Sequence, residues 1–119
     1  MYDSSKLNEL KSDFKACTHV LTAIGDETRQ LIIIVLIDAG CSGLRVGEIT
    51  VQTHLSRPAV SHHLKILKDA GIVGVRKIAT MNYYYLDPSS KLMNLKALIT
   101  NIEELLKIER DKVNNYGAD

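Results

Sequence analysis

The sequence predicts a mainly α-helical domain with one small β-hairpin, in the order helix, helix, short strand, helix, helix, strand, strand, helix. Three observations predict it. Apolar residues recur at helical steps of three and four over most of the chain. One segment, "IVGVRKI" followed by "NYYYL", switches to β-branched and aromatic residues. A length of 119 residues suits a single domain, 1–119, with one modest core.

In chain order, Leu7, Leu10, Phe14, Cys17, Leu21 and Ile24 lie on one stripe of a helix over about 5–24, with Ser4 or Ser5 as N-cap. Gly25 punctuates it, and Asp26 caps a second helix through "ETRQLIIIVLIDA", ended by Gly40. The run 31–37 is apolar on every side, which predicts a central helix covered all round. "CSGLRV" leaves room for a brief strand at Leu44–Val46, and a short helix follows over about 47–53, breaking at His54–Leu55. Ser56 caps a fourth helix over about 57–69, with Pro58 tolerated in its first turn and Gly71 closing it. The hairpin occupies about 72–86, turning at "ATM". A long helix over about 88–114 carries Leu92, Leu95, Ile99, Ile102, Leu106 and Val113 on one face, widened by Leu98 and Leu105. "NNYGAD" is the tail expected to fray.

Apolar residues make up 45% and charged residues 24%, the balance of an ordinary globular protein. The N-terminus shows no basic stretch leading into an apolar one, and the longest apolar run, "LIIIVLI", is far short of a membrane span. The expectation is a cytoplasmic protein with no membrane partner, in which Cys17 and Cys41 are reduced thiols. The net charge of +1 hides a division: 57–77 holds Arg57, Lys65, Lys68, Arg76 and Lys77 against Asp69 alone, a local +4 that leaves −3 elsewhere. A basic segment on a mildly acidic body outlines a contact with a polyanion.

That segment coincides with a short helix, a tight break and a longer helix over about 47–70, the layout of a helix-turn-helix. In the longer helix Val60, Leu64 and Leu67 face the core, while Arg57, Ser61, Lys65 and Lys68 share another face with His62 beside them. Such a helix fits the major groove of double-stranded DNA, with Arg, Lys, Ser and His reaching base edges or phosphates and its start at Ser56 favouring a phosphate. Arg76 and Lys77 on the hairpin are placed to straddle the adjacent backbone. A solvated charged face is the plainer reading of the same residues. The first and last helices either wrap their own domain or pair with a second copy, because an apolar stripe of that length marks an interface.

The segments "GDETRQLIIIVLIDAG" and "VGEITVQTHLSRPAVSHHLKILKDAGIVGVRKIATMNYYYLDP" resemble the ArsR-type family of bacterial winged-helix repressors over about three quarters of the chain. The resemblance rests on Asp26–Arg29, the "LS-x-P-x-V-S-x-H-L-K-x-L" core at 55–67, "AGIV" at 70–73 and "YYYL" at 83–86. It implies a winged helix-turn-helix with a recognition helix at about 57–69 and a wing at about 72–86. It also implies a homodimer through helices 5–24 and 88–114, using Leu7, Leu10, Phe14, Cys17, Leu95, Ile99, Ile102 and Leu106. Such a dimer binds a pseudo-palindromic operator and is released by a signal. Ser56, Arg57, Ser61, His62, Lys65, Lys68, Arg76 and Lys77 are then the expected DNA contacts.

Family members that sense metals use a Cys-x-Cys at the third helix, where "LRVGEI" has Arg45 and Gly47, or acidic and histidine ligands on the last helix, where 88–114 has no histidine. No metal and no cofactor is expected. Cys17 and Cys41 are the remaining candidates for thiol sensing, against the plainer reading of Cys17 as a small core residue. Adjacent helical residues point about 100° apart, so His62 and His63 cannot clamp one ion from that helix. No nucleophile or carboxylate stands around them at motif spacing, so no enzyme is expected. His63 is expected to pack beside the first helix of the motif. The rival from another class is a winged-helix protein–protein adaptor.

Overall fold

A computed structural model of the chain describes residues 4–116. Its elements are α1 (Ser4–Ala16), α2 (Thr18–Ile24), α3 (Glu27–Ala39), a 3-10 turn at Gly40–Ser42, α4 (Val46–Thr53), α5 (Arg57–Asp69), β1 (Val73–Ile78), β2 (Met81–Leu86) and α6 (Leu92–Tyr116). The winged helix-turn-helix is therefore present as a mainly helical body with a two-stranded antiparallel hairpin.

The single helix expected over 5–24 is instead two, broken at Cys17 (φ −97°, ψ 2°). Thr18 Oγ1 donates to the Phe14 carbonyl at 3.3 Å and Thr22 Oγ1 to Thr18 O at 2.9 Å, back-bonding of the kind that bends helices. Past the break the inward stripe shifts by one residue: Val20 and Ala23 are buried, whereas Leu21 is exposed. Cys17, placed by sequence in a stripe facing a second copy, is enclosed within its own chain at 1% exposure.

Asp26 caps α3 by accepting from Arg29 N at 3.0 Å. That bond, ahead of the nearby Arg29 charge, holds the Asp26 carboxyl below its ordinary range. The expectation that α3 is covered all round is wrong. Ile32, Val35 and Leu36 are buried, but Leu31, Ile34 and Ile37 are exposed, the latter two at 62% and 59%. The chain is too short to place elements on both sides of α3. The core lies on its inner side, where Ile32 and Leu36 meet Ile49 of α4, Val60, Leu64 and Leu67 of α5, and Ile72 and Val73 at the hairpin. Each of these large side chains contributes about 1.5–3 kcal/mol by leaving water.

The short strand expected at Leu44–Val46 reduces to one bridge, in which Leu44 and Tyr84 exchange both backbone hydrogen bonds at 2.8 Å; Val46 already begins α4. His54 ends α4 in the left-handed region (φ 61°) and donates its N–H to Thr50 O, producing the tight break of the motif. Ser56 caps α5 by accepting from Ala59 N. The hairpin pairs Val73 with Leu86 through Ile78 with Met81, so the turn is the two residues Ala79 and Thr80, shorter than "ATM", with Ala79 at φ 55°. Gly74 is required there: a Cβ would lie 2.5 Å from Tyr85 Cζ, whose ring crosses it.

Helix α6 begins at Leu92, not at residue 88, because Asp87, Ser89 and Ser90 form a turn in which Ser90 Oγ accepts from Leu92 N at 3.2 Å. It continues through Asn114 and Asn115 of the segment expected to fray, of which 117–119 lie outside the described residues. Asn101 Nδ2 donates to Asp13 Oδ2 at 2.8 Å, tying α6 to α1. These helices extend the molecule to 64 × 29 × 22 Å. No helix of the described residues is long and apolar enough to cross a membrane.

Candidate nucleic-acid interface

Helix α5 separates its faces because Val60, Leu64 and Leu67, spaced four and three apart, must enter the core. What is left outside is Ser61, His62, Lys65 and Lys68, all exposed, with Ser56 at the cap. These positions differ in freedom. Lys65 Nζ lies 3.1 Å from Asp69 Oδ2, an exposed i, i+4 pair of small energetic weight. Ser61 and Lys68 make no side-chain hydrogen bond or ion pair among the described residues. His62 stands edge-on to His63, their ring centroids 5.3 Å apart.

His63 is half-buried and hydrogen-bonded, its partner being on α3. Arg29 of α3 donates from Nη1 to His63 Nδ1 at 3.2 Å, and the same guanidinium donates to the carbonyls of Ala23 at 2.6 Å and Thr22 at 3.3 Å. A guanidinium has only donors, so the Nδ1 of His63 accepts. Arg29 thereby stitches the end of α2 to the middle of α5 and fixes the pitch of the exposed face.

The two wing cations, alike in sequence, are placed differently. Arg76 Nη1 donates to Cys41 O at 3.2 Å and its guanidinium lies 4.9 Å above the Tyr85 ring. Lys77 is opposite Asn82 in the ladder, is exposed, and has no side-chain partner among the described residues.

Arg57 departs furthest from the sequence reading. Its guanidinium is folded back over Gly47 in the first turn of α4, where a Cβ would meet Nη2 at 2.8 Å. There it borders a cleft of about 490 Å³ together with Arg45, Glu48, Val51, Asn82 and Tyr84. Arg45, at the start of α4, pairs through Nε with Glu48 Oε1 at 3.2 Å, and Glu48 also accepts from Arg45 N at 3.0 Å. The backbone bond first, then the side-chain bond, holds the Glu48 carboxyl below its ordinary range. Sequence reasoning placed no function on Arg45 or Asn82, because only the fold brings them beside Arg57.

The residues do not suit the metals of the resembled family. Among the described residues no three His, Cys, Asp or Glu side chains gather as a metal site requires. Arg45 carries a fixed positive charge where a thiolate is needed. Of the thiols, Cys17 is enclosed and Cys41 is exposed on the 3-10 turn.

Comparison with known proteins bears on this surface. The family described as "Bacterial regulatory protein, arsR family" matches residues 26–75, which span α3, α4, α5 and the start of the wing. The uncharacterized HTH-type transcriptional regulator MJ1325 of Methanocaldococcus jannaschii is 35% identical over 92 residues, 77% of this chain and 97% of that protein. The transcriptional activator HlyU of Vibrio cholerae is 31% identical over 83% of this chain and 85% of its own. Its reduced form superposes with a TM-score of 0.61, covering 82% of this chain and 95% of that one. The transcriptional repressor SdpR of Bacillus subtilis is 33% identical over 58% of this chain and 73% of that protein.

Proposed function

This chain belongs to the arsR family of bacterial regulatory proteins, and from that premise we propose that it is a homodimer that binds a pseudo-palindromic operator sequence-specifically and represses transcription until a signal releases it. DNA-binding transcription regulation is the property its relatives share. The finer reading is carried by one observation, the exposed polar face of α5, which the fold does not use: Ser61, His62, Lys65 and Lys68 turn outward while Val60, Leu64 and Leu67 hold the helix in place. A rigid helix with that face enters the major groove, and Lys77 on the wing adds a backbone contact without sequence information.

The homodimer is supported by the apolar surface of the terminal helices. Leu7, Phe14, Ile99 and Leu106 are exposed, with Leu10, Leu95 and Ile102 half-buried beside them. A second copy covering this face sets the two α5 helices on one side of a duplex, with half-sites one helical turn apart, about 10 base pairs. The protein works in the cytoplasm, and its releasing signal is a small molecule or a redox change.

Binding to the DNA upstream of its own gene, followed by mobility shift, tests the reading. Saturable, salt-sensitive binding that outcompetes unrelated duplex is expected, and deletion should raise transcription of the adjacent gene; a fall, as an activator gives, contradicts repression. The exposed Leu31, Ile34 and Ile37 on α3 favour one rival, a protein–protein adaptor, which would bind no DNA in the same experiment.

A further inference from the structure

The cleft between α4, α5 and β2 brings together two guanidinium groups and one carboxylate. Glu48 is already engaged twice by Arg45, through the backbone N–H and Nε, while Arg45 Nη1 reaches Met81 Sδ at 3.3 Å. No carboxylate answers Arg57, whose guanidinium makes no hydrogen bond or ion pair among the described residues. It rests instead over Gly47 in the first turn of α4, at the positive end of the helix dipole, where the Arg45 N–H is already taken by Glu48. Two guanidinium groups therefore share one carboxylate, which leaves the cleft with a surplus positive charge for an anion. The absence of a side chain at Gly47 opens that position, and Asn82 on the wing contributes a neutral donor at the rim.

We infer that this cleft is a phosphate site, and that the phosphate it takes is one from the DNA backbone, gripped by Arg45 and Arg57. The inference rests on the DNA reading above and deepens it. The two grooves of a duplex are separated by a single sugar–phosphate strand. A recognition helix in the major groove and a hairpin alongside it therefore have that strand between them, and the cleft opens between the start of α5 and the start of β2. Guanidinium matches a phosphate in bidentate fashion. Arg57 thus moves from base reader to backbone clamp, and base readout falls to Ser61, His62 and Lys65. Arg45, marked in the sequence only as standing in place of a metal-binding thiolate, becomes a DNA contact that carries affinity without specificity.

The test compares wild type with Arg45→Ala and Gly47→Ala on an operator duplex and a random duplex across a range of salt. Arg45→Ala should weaken both duplexes by the same factor, about three- to tenfold, and reduce the slope of log K against log salt by about 0.9, the value for one lost phosphate. Gly47→Ala, which favours the helix but pushes the Arg57 guanidinium aside, should act in the same direction with an unchanged or higher Tm. Wild-type binding with Arg45→Ala unchanged overturns the clamp and leaves the DNA reading intact, as does a loss confined to the operator. A wild type that binds neither duplex overturns both. Exchanging chloride for inorganic phosphate at constant ionic strength separates the two phosphate sources. No selective displacement is expected; displacement that disappears in Arg45→Ala would give the cleft to a free phosphate instead.

Discussion

Helix α5 buries Val60, Leu64 and Leu67 completely and shows water mostly polar groups on its opposite face, whereas α6, at 25 residues against 13, fully buries only Leu98 among the described residues and exposes Met93, Ile99, Leu106, Ile108 and Val113. Both helices are amphipathic in sequence. The difference lies in what each face meets. The apolar side of α5 is matched by α2, α3, α4 and β1, so its polar side is surplus to the fold. For α6 the chain offers only α1, α2 and the edge of the core, so part of its apolar side is surplus. Surplus polar surface on a rigid helix is a means of binding a charged polymer; surplus apolar surface on a long helix is a means of self-association. One molecule holds both.

The largest expected effect would break this contrast directly. Leu64→Ala should destabilise the fold by about 2–5 kcal/mol, shifting thermal unfolding by an amount that does not depend on protein concentration. Leu106→Glu should leave far-UV circular dichroism intact, raise the dimer dissociation constant about tenfold or more in sedimentation velocity, and lower Tm by an amount that varies with protein concentration. If the two variants behave alike, α6 is a core helix and the contrast fails.

Next in size are changes to the reading face. Lys65→Ala should lose about 1–3 kcal/mol on the operator and little on random duplex. Asp69→Asn, which frees Lys65 from its 3.1 Å partner, should strengthen both in an anisotropy titration. The wing supplies a smaller and sharper comparison. Lys77→Ala should reduce the salt slope by about 0.9, and Arg76→Ala by less, because Cys41 O and the Tyr85 ring already hold that guanidinium.

The smallest effect concerns the caps. Asp26 and Glu48 have carboxyls lowered by the backbone N–H groups they accept from, so the stability they give is present above the ordinary carboxylate range near pH 4 and fades as pH falls through the lowered values. Asp26→Asn should therefore flatten part of the Tm decline between pH 7 and pH 3; an unchanged decline would mean that the cap is not coupled to folding.

Much of this was legible because it is local. The caps at Asp26 and Ser56, the break at His54 and the split faces of α5 all follow from residues within one or two turns of each other. The kink at Cys17 was hidden because the apolar spacing runs across it without a fault, and only the hydroxyls of Thr18 and Thr22 hint at it. The open face of α3 was hidden because coverage depends on how many neighbours the chain can supply, which periodicity does not report. The resting places of Arg57 and Arg76 depend on Gly47, Cys41 and Tyr85, brought near by the fold, and no spacing rule describes where a long side chain comes to lie.

The central claim is geometric: paired α1 and α6 helices hold two copies of α5 at the pitch of DNA. Spin labels at Ser61→Cys in a Cys41→Ser background, with Cys17 enclosed, measure it by pulsed dipolar spectroscopy on the free dimer, where the labelled face meets only solvent. A single narrow distance near ~34 Å, one turn of the duplex, is the predicted result. Absence of dipolar coupling, or a distance too short or too long for both labels to meet successive major grooves, would contradict it.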